Sequence, residues 1–218
     1  PSFTIMGFRY AKVETDIDLT GAEFTAHAVY SEMPVTGSFA CGNADVDQLV
    51  QNSVWSQKSN FCDIPTDCPT RERAGWTGDM GVFIETGLTL MDCYPMVEKW
   101  LAECRLNQYP DGRIANIAPP TSRPGYMTPM LCMSAGWGDA AILVPYALYK
   151  RTGDRKILAD NYQMMQKWYA FLLGRAQQTT EEQQTGAYAK YTVLNGLDYG
   201  EGCEPGITPM QAMMNPRK

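Results

Sequence analysis

Residues 67–79 read Asp-Cys-Pro-Thr-Arg-Glu-Arg-Ala-Gly-Trp-Thr-Gly-Asp, DCPTRERAGWTGD. Three carboxylates, two arginines and a tryptophan crowd a stretch whose proline and glycines forbid a long regular helix. Those same residues stiffen the backbone, and a stiff backbone is what a catalytic carboxylate needs to hold its geometry. On both sides the apolar residues recur at helical spacing. Upstream, Asn43-Ala-Asp45 offers a cap to a helix carrying Val46, Leu49, Val50, Ser53 and Val54 on one stripe. Downstream, Phe83, Ile84, Gly87, Leu88 and Met91 make a second stripe, and Met96, Val97, Trp100, Leu101 and Cys104 a third. The quoted stretch is therefore read as a rigid turn between two helices.

Further out, a Pro- and Gly-rich segment from Pro110 to Pro129 interrupts the helical pattern, which resumes from Gly136 to Tyr149. Arg151-Thr-Gly153-Asp154 reads as a short turn into a long amphipathic helix with Ile157, Leu158, Tyr162, Met165, Trp168, Tyr169 and Leu172 on its stripe. Short links alternate with long loops. In helical hairpins that asymmetry gathers the long loops on one rim, where a site can be assembled from several of them. Before residue 37 the period changes to two: runs such as Phe24-Thr-Ala-His-Ala-Val-Tyr30 predict strands of a small sheet. The expected organisation is a mainly α chain, with residues 1–36 the end of a β domain and 37–218 part of a helical domain. The chain starts at Pro1 in a strand-like pattern and stops at Met-Asn-Pro-Arg-Lys218, so both ends read as cut.

Composition narrows the chemistry. The 218 residues carry a net charge of −6 with no run of Lys or Arg, which argues against nucleic acid or an anionic membrane as partner and favours a neutral ligand. Seven cysteines, odd in number and without a Cys-x-x-Cys pair, suggest neither zinc nor a disulfide framework. They read as buried thiols, which places the chain in the cytoplasm ahead of the periplasm or the exterior. No stretch has the length of an apolar membrane span. The single histidine, His27, falls in a predicted strand away from the loop, so Ser-His-Asp and Cys-His chemistry lack a base, and Cys68 reads as a packed thiol. No phosphate-binding, dinucleotide or calcium loop is present, and no cofactor or metal is expected.

Two carboxyl groups facing each other across a sugar are the usual equipment for glycosidic cleavage, one as acid to the leaving oxygen and one as base to water. In the loop, Glu72 is read as the acid. To hold a proton it must be poorly solvated or close to other carboxylates, which Asp67 and Asp79 would supply. Arg71 and Arg73 act in the opposite sense and suit this reading only if they point elsewhere. Blander readings stand beside it: Arg71-Glu72-Arg73 as a surface ion-pair cluster, Asp79 as a helix cap, and Trp76 and Trp137 as core plugs rather than sugar platforms. For Asp139, capping the helix that follows is preferred to binding a hydroxyl.

The stretch DCPTRERAGWTGD, with its lead-in Phe61-Cys-Asp-Ile-Pro-Thr66, closely resembles the signature loop of the bacterial α-L-rhamnosidases of glycoside hydrolase family 78. Gly7-Phe-Arg-Tyr10, Gly37-Ser-Phe-Ala-Cys-Gly-Asn43 and Gly136-Trp-Gly-Asp-Ala140 are similar too, and the likeness weakens past residue 175. The resemblance implies an (α/α)6 barrel of helical hairpins, here partial and preceded by the remnant of a β-sandwich. It implies inverting cleavage of terminal α-L-rhamnose from an oligosaccharide or glycoside. Glu72 would be the general acid, with Asp67, Arg71 and Asp79 on rhamnose hydroxyls and Trp76 and Trp137 lining the subsite. In that family the general base lies further along. Glu201, in Tyr199-Gly-Glu-Gly-Cys203, matches a substrate-side loop and is not promoted to base. The 218 residues alone are therefore expected to be inactive, and homo-oligomer contacts are expected to cover the open side of the barrel. A non-catalytic carbohydrate-binding or scaffold module and an (α/α)6 hydrolase of another sugar specificity are the competing readings.

Overall fold

A hydrophobic stripe becomes a core only where a second element meets it, and in the computed structural model, which describes residues 5–120, 134–178, 187–191 and 193, the second and third stripes do so together with the helix expected over 136–149. Helix α1 spans Ala44–Asn60, followed by two-residue strands β1 (Phe61–Cys62) and β2 (Ile64–Pro65). Helices α2 (Thr77–Leu90), α3 (Tyr94–Leu106), α4 (Ala135–Gly138), α5 (Ala140–Thr152) and α6 (Arg155–Gln177) follow. Met96, Val97, Trp100, Leu101 and Cys104 of α3 are all buried, as are Ile84 and Leu88 of α2 and Val144 and Leu148 of α5. Each large side chain so removed from water stabilises the fold by about 1.5–3 kcal/mol.

The helix boundaries follow the local chemistry. Asn43 Oδ1 accepts from the Asp45 and Val46 amides at 3.0 and 3.4 Å and starts α1. Gly153 closes α5 at φ 73°, a left-handed conformation that glycine reaches without strain, and Asp154 Oδ1 caps α6 through the Lys156 amide at 2.8 Å. The expected αα turn is in place.

Three expectations are corrected. The stripe on α1 faces the core only at its end: Leu49 is 63% exposed, Val54 packs half-buried against the core, and the one fully buried residue of the helix is Gln57. In the last turn Gln57 Nε2 donates to the Gly87 carbonyl at 3.2 Å. On α6 the phase is set by Ile157, Asn161, Met164 and Trp168, so Met164 rather than Met165 is buried and Tyr162 and Tyr169 are exposed. Finally, residues 5–30 form no strand and their side chains are exposed, His27 among them. An extended segment with no neighbouring edge has nothing to ladder with, however well its residues alternate. The strands among the described residues are β1 and β2, antiparallel, with Phe61 opposite Pro65 and the turn at Asp63, φ 68°. No helix is long and apolar enough to cross a membrane among the described residues.

Candidate active site

The loop between β2 and α2 is held from two directions. Asp67 and Ala74 bond reciprocally: the Asp67 amide donates to the Ala74 carbonyl at 3.1 Å and the Ala74 amide donates to Asp67 Oδ1 at 3.2 Å. From outside, the buried residues 114–118 strap the start of α2. The Thr77 amide donates to the Asn116 carbonyl at 2.8 Å, the Thr77 hydroxyl to the same carbonyl at 3.1 Å, and the Ala118 amide to the Gly75 carbonyl at 2.9 Å. Gly75 is required by that approach, since a Cβ there would lie 2.2 Å from the Ala118 oxygen. Arg73 is non-glycine at φ 52°, a strained conformation that the surrounding bonds impose.

This frame aims the charged groups. The Glu72 side chain is only 17% exposed. Trp76 Nε1 donates to its Oε2 at 3.0 Å, Arg71 Nη2 donates to its Oε1 at 2.6 Å, and the Glu72 amide donates to Cys68 Sγ at 3.0 Å. A carboxylate oxygen from each of Asp67 and Glu72 lies with Cys68 Sγ inside a cluster no more than 4.8 Å across. Asp79 stands in the first turn of α2, whose N-cap is Trp76, so it does not cap that helix by the expected route. Although Asp79 reaches solvent, the protein around it strips water from one side and pushes its carboxyl above the ordinary range; its own amide pulls back, and the charges of Asp67 and Glu72 add to the rise. The Glu72 charge, in turn, raises the Arg71 guanidinium, as does their hydrogen bond.

Asp67, Asp79 and Trp137 share the wall of one cavity of about 690 Å³, with Gln57 and Asn60 from α1, Thr66, and Met80 and Phe83 from α2. Trp137 is seated on Gly78: a Cβ at that glycine would come within 2.8 Å of the indole. Glu72, Arg71 and Trp76 form a second cluster outside that wall, joined to it through Asp67. Against expectation, Arg71 pairs with Glu72 itself, whereas Arg73 turns away and donates to the Ile5 carbonyl at 3.1 Å. Asp139 makes no side-chain cap bond and instead accepts from Trp168 Nε1 at 3.0 Å. Glu201 lies outside the described residues. Sequence reasoning missed the strap at 114–118, the anchoring of Glu72 by Cys68, and the part of α1 in the cavity wall; a run of apolar residues around Asn116 was the one signal for the first.

Residues 34–203 match the family model of the bacterial alpha-L-rhamnosidase 6 hairpin glycosidase domain. The chain belongs to this family. An alpha-L-rhamnosidase of Formosa agariphila is 40% identical over 174 residues, and one of Streptomyces avermitilis 36% identical over 180. The chain spans 18% and 16% of the lengths of these two rhamnosidases, and the matches cover 78% and 79% of the chain. Among solved structures, the Streptomyces avermitilis alpha-L-rhamnosidase complexed with L-rhamnose superposes with a TM-score of 0.65 at 33% identity, covering 79% of this chain and 15% of that one. The Dictyoglomus thermophilum alpha-L-rhamnosidase gives 0.67 at 28% identity, covering 82% and 18%. The helices described above are therefore a portion of a six-hairpin glycosidase barrel, and the loop at 67–79 falls within the matched residues.

Proposed function

We propose that these residues form the acid-bearing part of an α-L-rhamnosidase that cleaves terminal α-L-rhamnosyl residues with inversion. The observation that carries the reading is the position of the Glu72 carboxyl: shielded from solvent, gripped by an indole N–H, and within a few ångströms of an Asp67 that shares a sugar-sized wall with Asp79 and Trp137. The cavity volume falls in the range of small-molecule sites.

In this mechanism the pyranose lies against Trp137, with its hydroxyls donating to Asp67 and Asp79. Trp76 keeps Oε2, leaving Oε1 for the glycosidic oxygen. Arg71, whose side chain is 82% exposed, exchanges Oε1 for a sugar hydroxyl as the substrate enters. Glu72 gives its proton to the bridging oxygen, the C–O bond breaks with its electron pair on the departing alcohol, and water adds to the anomeric carbon from the opposite face. The proton of that water goes to a second carboxylate about 6.5–9.5 Å from the acid. Asp67 is tied to the Ala74 amide and Asp79 to the sugar, so the base is assigned to neither, and the 218 residues alone bind rhamnose without turning it over.

The Arg71–Glu72 ion pair favours one other reading, a binding module in which Glu72 only orders the loop. Grafting residues 61–79 into the full-length Streptomyces avermitilis relative separates the two. Glu72→Gln in the graft should cut hydrolysis of an alkyl rhamnoside about 10²–10⁴-fold, spare an activated dinitrophenyl rhamnoside, and leave rhamnose binding intact. Equal turnover of the alkyl substrate by the Gln variant would remove Glu72 from the chemistry.

A further inference from the structure

Four consecutive residues, Gly136 to Asp139, connect the sugar wall to a helix that does not touch it. Trp137 looks inward and is seated on Gly78 of α2. The next two residues look the other way, onto the fully buried Trp168 of α6: a Cβ at Gly138 would lie 2.3 Å from that indole, and Asp139 Oδ1 accepts its Nε1–H at 3.0 Å. Trp168 is itself held by stacking on Phe171, centroids 5.6 Å apart. Asp139 sits between α4 and α5, where a helix cap would be expected, yet its side chain makes no cap bond to α5. A four-residue helix has too little internal bonding to fix its own position. The two indoles brace it from opposite sides.

We propose that Asp139 is a positioning residue for the sugar wall: by accepting the Trp168 N–H it sets the α4 turn so that Trp137 stays on Gly78. The bond joins two half-hidden or hidden groups, so its loss leaves a buried indole N–H without its acceptor and frees the turn to shift. Asparagine at 139 keeps an acceptor of the same shape, whereas alanine does not. The effect on sugar rests on the rhamnoside reading above; the placement of Trp137 does not.

The test uses the full chain labelled with 5-fluorotryptophan, with the Trp137 resonance assigned by Trp137→Phe and the Trp55 and Trp76 signals as internal controls. Asp139→Ala, Asp139→Asn and Trp168→Phe are compared by fluorine NMR and by titration with L-rhamnose. Expected are a displaced or broadened Trp137 signal in Asp139→Ala and Trp168→Phe, an unmoved one in Asp139→Asn, and roughly tenfold weaker rhamnose binding in the first two only. Trp168→Phe deletes the same bond together with the Cζ2 and Cη2 atoms against which Gly138 sits, so it carries the test of the whole clamp if the alanine variant does not fold. An unmoved Trp137 signal in the folded variants overturns the proposal, and so does a moved signal with unchanged rhamnose affinity. A moved signal in a chain whose unsubstituted form binds no rhamnose supports the clamp and overturns the rhamnoside reading instead.

Discussion

Gly75→Ala puts the loop's support to the test at its tightest point. The new Cβ would meet the Ala118 backbone oxygen at 2.2 Å and Trp100 Nε1 at 3.2 Å. The oxygen is backbone and is itself gripped by Trp100 Nε1 at 2.8 Å, so no flexible tip can yield; the strap must retreat by about 1 Å. Overpacking of this kind costs about 1–3 kcal/mol. The retreat also strains two hydrogen bonds, Ala118 amide to Gly75 carbonyl and Trp100 to Ala118, worth about 1 kcal/mol each. Against this, alanine restricts the unfolded chain and returns about 0.4–1 kcal/mol. The net loss is about 2–4 kcal/mol, which in a domain of this size lowers Tm by about 4–15 °C. Urea unfolding followed by tryptophan fluorescence should show a lower midpoint at an unchanged m-value. A midpoint equal to or above that of the parent chain would mean that the strap does not hold the loop, and the explanation of the stiff turn would fall with it.

Two further outcomes follow from the burial of charged and reactive groups. Asp79 holds its proton more tightly folded than unfolded, so between its ordinary value of 3.8 and the raised one stability falls as pH rises, and above that window the penalty is complete. Asp79→Asn should therefore raise Tm at pH 7 and lose the advantage below about pH 4, as read by thermal melts across pH; a gain that persists at low pH would contradict the assignment. Burial pushes the Cys93 thiol up to about 12 and Cys104 higher still, so iodoacetamide should label exposed Cys41 in the native chain and reach Cys93 and Cys104 only on unfolding, a pattern mass spectrometry resolves.

What the sequence disclosed depended on how local the cause was. The cap at Asn43, the short turn at Gly153-Asp154 and the α3 stripe are set within one or two turns, and all could be read directly. Strand formation over Phe24–Tyr30 and burial of Leu49 require a partner that no local pattern specifies, and there the reading failed. At the site, the density of fixed-backbone residues around Glu72 was legible as a stiff loop, but its cause was not. Gly75 answers to Ala118, 43 positions away, and Asp139 answers to Trp168 rather than to its own helix. The direction of Arg71 was equally hidden, because a long side chain's partner is decided by which carboxylate the fold brings nearest.

The central claim is that the loop and α4 enclose a rhamnose subsite, and titration of the 218-residue chain with L-rhamnose, followed by NMR, tests it most directly. Saturable binding near the millimolar range, about −4 kcal/mol, is expected for the parent chain, with marked weakening in Asp79→Asn and in Trp137→Ala and little change in Glu72→Gln. Absence of saturation, or binding that ignores both Asp79 and Trp137, would contradict it.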